Sequence, residues 1–178
     1  MPQDYPFAWT PGKRVLVVLR DGLPGEYLDE ALYLASVIGA EDADFFHMRE
    51  GEGLENLLRV ANRGFYGAVS FPPVDFGLSH RLGARHAYQE VFDSLRPPVL
   101  IPKGSFPYKR IILFGGGHGI DDLARATGAG ILSWPRELED KDLLVVYRKR
   151  GARHSPLFRD KALILSGTAA VSILVVPE

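Results

Sequence analysis

Apolar positions along the chain fall into short unbroken runs, separated by stretches in which they recur every three to four residues. The run "KRVLVVL" (13–19) is valine-rich behind two cations, as expected of a strand buried on both faces of a parallel sheet. After the turn "RDGLPGE", the stretch "YLDEALYLASVIGA" sets Leu28, Ala31, Leu32, Ala35 and Ile38 at helical spacing, with Gly39 as a fitting stop. "ADFFHM" (43–48) predicts a second strand, "EGLENLLRVANRG" a short helix ended by Gly64, and "GAVSF" (67–71) a third strand. Ser79 then caps a helix running to Leu95, with Leu82, Ala87, Tyr88, Val91, Phe92 and Leu95 on its inner face, and "PPVLIPKG" closes with a strand. Strands alternating with helices predict an α/β fold around a parallel sheet.

At residue 108 the pattern starts again. "YKRIILFGGG" (108–117) repeats the character of "GKRVLVVLRDG" (12–22): two cations, an apolar strand, then glycine. "GIDDLARATGAGILSWPRE" (119–137) abbreviates helix, glycine stop and strand, with an Arg-Glu end that matches "MRE" at 48–50. "DLLVVYRKRG" adds another buried strand. Ser155 and Pro156 form a good helix start, followed by Phe158, Ala162, Leu165 and Ala169 on one face, and "SILVVPE" ends the chain as "PVLIPKG" ended the first half. The layout is an extension (1–12), a first half (13–104) and a second, abbreviated half (108–178), joined near 103–108. A half of about 70 residues is marginal in the area it can bury, so the second half is not expected to stand alone and the halves are expected to share a continuous core.

Composition narrows the function classes. The chain has 178 residues, 46% hydrophobic and 24% charged, which is the balance of a globular protein rather than a disordered tail. A net charge of −1 removes the global electrostatic argument for nucleic acid or an anionic membrane as partner. There is no cysteine, which excludes disulfides, thiolate zinc sites and cysteine nucleophiles together. The start "MPQDYPFAWTPGKR" lacks the apolar core of a secretory signal, and no run approaches the roughly 18 apolar residues of a membrane span. The expectation is a soluble, cytoplasmic protein.

The order of these segments resembles the universal stress protein family. "KRVLVVLRDGLPGEYLDEALYLASVIGAEDADFFHMRE" is similar to its opening: a valine-rich strand, Asp-Gly, a helix with "EAL..A", Gly-Ala, and a strand ending at a histidine, here His47-Met48. The family's close resembles "DLLVVYRKRG…SILVVPE" (142–178) and, less closely, "GAVSF…PPVLIP" (67–102). The resemblance covers nearly the whole chain as two abbreviated copies in tandem. It implies an adenine-nucleotide alpha-hydrolase-like fold: open, mostly parallel sheets with helices on both faces, in two pseudo-repeated halves. It also implies ATP or another adenine nucleotide as ligand, and a role in stress adaptation rather than turnover. Asp21, followed by Gly22, matches the aspartate that contacts the nucleoside, and Met48 matches the residue whose backbone meets adenine. In such folds the last strands pair antiparallel across a dimer interface; "PVLIP" and "ILVVP" are expected to make that contact within one chain, with a further homodimer or protein partner beyond it.

The phosphate-binding part departs from the family pattern. Nucleotide-binding members carry Gly-x2-Gly-x9-Gly-Ser/Thr, whose glycines let backbone N–H groups approach phosphate. Here Arg159 and Asp160, and Arg85 and His86 in the first copy, fall where Gly-Ser belongs. Gly64, Gly67 and Gly77 reproduce the spacing, but a predicted strand lies inside it and Leu78 replaces Ser/Thr. The stretch Gly115, Gly116, Gly117, His118 and Gly119 joins a strand to a helix without GxGxxG spacing, since Ile120 occupies the last glycine's place. It reads as a tight bend or as a ligand-contacting loop. Asp21 likewise reads as a turn residue or a ligand contact. "YRKRGARH" reads as a solvated charge run or as a phosphate clamp, in which case Arg153 and His154 are nearest the predicted helix start.

His47, His80, His86, His118 and His154 have no metal-ligand spacing, and no nucleophile elbow is present. The leading expectation is a regulatory module acting by ligand or partner binding, without catalytic residues. A nucleotide sensor using Asp21 with the glycine-rich or basic loop, and a small α/β enzyme of unassigned substrate, are the alternatives.

Overall fold

Continuous burial on both faces is what makes Arg14–Leu19 (β1) a run of valine and leucine: Val15, Leu16, Val17 and Val18 are all buried, on alternating sides of the sheet. The computed structural model describes residues 13–49, 52–73, 81–114, 120–133, 137–148 and 161–177. The elements after β1 are α1 (Gly25–Val37), β2 (Ala43–His47), α2 (Glu55–Ala61), β3 (Tyr66–Ser70), α3 (Arg81–Ser94) and β4 (Val99–Ile101). They continue as β5 (Arg110–Phe114), α4 (Ile120–Thr127), β6 (Gly130–Leu132), β7 (Asp142–Arg148), α5 (Lys161–Thr168) and β8 (Ser172–Pro177). The expected extension 1–12, the predicted cap Ser79 and the start Ser155-Pro156 lie outside the described residues. Among the described residues no helix is long and apolar enough to cross a membrane.

One eight-stranded sheet runs through both halves in the order β2-β1-β3-β4-β8-β7-β5-β6. The carboxyl half therefore repeats the strand order of the amino half about a central pseudo-two-fold. All neighbours are parallel except β4 and β8, which pair antiparallel at that axis through Val99–Val175, Leu100–Leu174 and Ile101–Ile173. The pairing of "PVLIP" with "ILVVP" thus forms inside one chain.

Two apolar layers cover the sheet. On one face α1 and α4 bury Tyr27, Ala31, Leu34, Ile120 and Leu123 against Val15, Val17, Leu100, Ile111, Val145 and Leu174. On the other, α2, α3 and α5 bury Leu57, Tyr88, Val91, Phe92 and Ala162 against Leu16, Val18, Val69, Leu144 and Ile173. Each layer contains residues of both halves, so among the described residues the two halves share both layers of the core. Helices α1 and α4 end alike, at Gly39 and Gly128, with φ of 66° and 71°, the left-handed stop that glycine adopts without strain.

The inner face of α1 differs from its predicted one. Leu32 is exposed, while Tyr27, Glu30, Ala31, Leu34 and Ala35 are buried. The face is turned because Glu30 has partners across the molecule. Its carboxylate accepts from Ser172 Oγ at 2.6 and 2.8 Å, Gly104 N–H at 2.9 Å and Tyr108 Oη at 3.1 Å. Burial pushes the Glu30 carboxyl above its usual range, opposed by these donors. The segment 103–108, a linker by composition, is consequently bonded into the fold. Lys103 donates from Nζ to the Ser166 and Ala169 carbonyls at 2.8 and 2.6 Å, and burial brings its pKa down to about 8.

Candidate functional site

In an open parallel sheet, neighbouring strands whose connections leave toward opposite faces hold a crevice open at their carboxyl ends. Strands β1 and β3 are such a pair: the chain leaves β1 for α1 on one face, and leaves β3 for α3 on the other. A pocket of about 480 Å³ lies there. Asp21 and Arg20, just after β1, form one side, Met48 and Arg49 after β2 another, and Phe71 and Pro72 after β3 a third, over Val18.

The turn after β1 is held by Gly22, whose φ of 80° favours glycine, and by Arg20, which donates from Nη2 to the Pro73 carbonyl at 2.6 Å. Beneath, the buried Tyr27 hydroxyl donates toward the Val18 and Ser70 carbonyls at 2.5 and 3.0 Å, joining the ends of β1 and β3. Burial raises its pKa above the usual tyrosine range, so it stays protonated as a donor. Asp21 is almost fully exposed, and its Oδ1 is 3.2 Å from Nε2 of the half-exposed His47. An exposed carboxylate on the lip of an apolar-floored pocket is an acceptor for hydroxyl donors and a modest counter-charge for His47.

The pocket unites two of the sequence-predicted residues, Asp21 and Met48, with Gly22 shaping the turn beside them. The backbone of Met48 is less open than the resemblance implies. Its N–H already donates to the Leu19 carbonyl at 2.8 Å, prolonging the β1–β2 ladder, and the Arg49 N–H donates to Glu52 Oε2 at 3.0 Å. What Met48 can offer is its carbonyl and its thioether. Gly115, Gly116, Gly117, His118, Gly119, Arg153 and His154 follow β5 and β7 in the chain and lie outside the described residues.

Sequence reasoning overlooked Arg20, Arg49, Phe71 and Pro72. Arg20, Arg49 and Pro72 each stand one residue beyond a predicted strand end, and Phe71 is the last residue of the third predicted strand, so applying the strand-end rule to all three strands would have found them. Among the described residues no cluster of three or more His, Asp or Glu side chains is arranged to hold a metal ion.

No protein-family profile and no curated protein matches the chain. Among solved structures, it shares its fold with the functionally unknown protein PA1789 from Pseudomonas aeruginosa PAO1, at 10% sequence identity and a TM-score of 0.62, over 95% of this chain and 93% of that one. A Leishmania major Friedlin protein provisionally named an aspartate carbamoyltransferase aligns over 92% of this chain and 71% of that one, at 13% identity and a TM-score of 0.29. The first comparison supports an α/β fold with a mostly parallel sheet and helices on both faces; the second is too distant to add to it.

Proposed function

We propose that the protein is a tandem regulatory module of the universal stress protein kind, which binds an adenine nucleotide in the crevice between β1 and β3 and works through that occupancy rather than by turnover. The observation that carries the reading is the convergence of Asp21 and Met48, from two different strand ends, on one pocket of about 480 Å³. That volume falls within the roughly 300–1,000 Å³ of small-molecule sites.

The residues present fit a nucleoside. The Asp21 carboxylate is placed to accept from ribose hydroxyls, while the Met48 thioether and carbonyl and the Phe71 ring offer an apolar wall with a polar edge to a base. Arg20 and Arg49 supply cationic character where the glycine-based phosphate loop is missing from the sequence. The repeated strand order and the internal β4–β8 pairing support a tandem chain that satisfies within itself the pairing expected between two single copies.

The test is a thermal melt of purified protein with and without millimolar ATP and ADP, with native mass spectrometry of the starting material. A ligand at about 100 times its dissociation constant adds roughly 2.7 kcal/mol to folding stability, and Asp21→Ala is expected to remove that gain while leaving the unliganded melt unchanged. No shift and no retained nucleotide would overturn the reading and leave a module that acts through protein contacts alone.

A further inference from the structure

We infer that the groove between α2 and the edge strand β2 is a polyphosphate subsite for the ligand of the neighbouring crevice; this rests on the nucleotide reading of that crevice. The groove also measures about 480 Å³, and three arginines, Arg49, Arg59 and Arg63, line it. Arg59 lies on α2 and Arg63 two residues beyond its end, and both line the groove. Asn56 Oδ1 accepts a hydrogen bond from Arg59 Nη2 and so orients that guanidinium.

Among the described residues none of these three guanidinium groups is in an ion pair. The one carboxylate in the wall, Glu52, accepts from the backbone N–H of Arg49. Like charges four residues apart oppose each other by a few tenths of a kcal/mol, roughly 0.2–0.5. Here three arginines share a concavity with a single carboxylate, Glu52, so a net positive charge is left to meet an incoming anion. Guanidinium groups pair with phosphate through two parallel N–H donors, which adds direction to charge.

Continuity with the crevice makes the groove a subsite rather than a separate patch. Arg49 lines both cavities, and the His47–Asp21 contact at 3.2 Å joins a wall of the groove to the lip of the crevice. A nucleoside held at Asp21 and Met48 would direct its phosphates over the 47–49 segment toward Arg59 and Arg63. The arginines would supply the phosphate contacts that the absent glycine loop gives nucleotide-binding universal stress proteins.

Titration calorimetry on the full chain tests this with three probes: adenosine, ATP and inorganic tripolyphosphate. The Arg59→Ala/Arg63→Ala variant removes two exposed side chains, so it is expected to fold as the parent does, a point that a urea melt checks. In it, ATP and tripolyphosphate should bind roughly ten- to a hundredfold more weakly, with adenosine unchanged. Asp21→Ala should weaken adenosine and ATP but leave tripolyphosphate as it was. Raising the salt concentration should weaken the two phosphate-bearing probes and spare adenosine. If ATP and tripolyphosphate bind the double variant as they bind the parent, or tripolyphosphate fails to bind the parent at all, the subsite is overturned whatever adenosine does. Arginine-dependent binding of tripolyphosphate, with neither adenosine nor ATP bound at the crevice, would keep the groove as an anion site and overturn the nucleotide reading instead.

Discussion

The two halves order their strands identically and begin them with the same Lys-Arg pair, yet Arg14 and Arg110 find opposite partners. Arg14 reaches outward to Asp44 on the edge strand β2, where Tyr66 Oη also donates to Asp44 at 2.8 Å; the two paired side chains are 35% and 36% exposed. Arg110 reaches inward to Asp142 at the start of β7, 2.6 Å away, and that carboxylate is fully buried. The difference follows from what joins the third strand of each half to the one before it. In the amino half α2 makes the crossing and buries Leu57 and Ala61. In the carboxyl half residues 133–141 make it, and the described ones contain no helix.

The short connection is held by polar contacts where the long one is held by an apolar face. Arg110 donates to the Glu137 carbonyl at 3.2 Å and pairs with Glu139 at 3.2 Å, while the Glu139 N–H donates to Asp142 at 2.7 Å. Burial works against the Asp142 carboxylate, but Arg110 and that N–H outweigh it and hold its pKa below the usual range. Shortening a crossover removes hydrophobic area, and a charge cluster centred on the buried Asp142 anchors the chain instead. The helix that the amino half retains is also the one that walls the arginine groove, so the surplus element is where ligand chemistry is proposed.

The largest effect expected from this contrast is at its two anchors. Leu57→Ala and Asp142→Ala should each lower the urea-unfolding free energy by about 3 kcal/mol, one by leaving a cavity and the other by removing the buried carboxylate on which Arg110 and the Glu139 N–H converge. Asp44→Ala, at a partly exposed pair, should lose far less. Equal losses at Asp44 and Asp142 would remove the distinction between an outward and an inward pair.

A second, smaller effect comes from the junction between the halves. Glu30 has a raised pKa in the fold, so between its usual value of 4.5 and the raised one the folded state holds a proton that the unfolded state has released. The Glu30 contribution to stability should therefore be fully present below that window and be lost as pH rises through it. Unfolding free energies measured from pH 4 upward should show this slope in the parent and lose it in Glu30→Gln; a slope that survives in the variant would assign it elsewhere.

The smallest effect tests what the halves share. Gly39→Ala and Gly128→Ala meet no atom within 4 Å, so each pays only for positive φ, about 1 kcal/mol and alike in both halves. A marked inequality between the two melts would mean that the matching helix ends are not equivalent in energy.

Much of the scaffold was legible in the amino-acid sequence because burial of a face leaves a local trace. "KRVLVVL" is continuous because β1 is covered on both sides, and Gly39 marks the end of α1. Asp21 and Met48 came from the family resemblance, and it is the parallel pairing of β1 with β2 that brings their strand ends to one pocket. Tertiary structure alone decided that Glu30 faces inward, because its partner Ser172 is 142 residues away, and that 103–108 is a hydrogen-bonded junction anchored by the buried Ser105 and Tyr108 rather than a tether. It alone sent Arg110 to Asp142 and Arg14 to Asp44, and set Arg49 between a crevice and a groove. Periodicity records which face of a segment leaves water; the choice of polar partner depends on distances between remote segments, which exist only once the sheet has closed about its central pair.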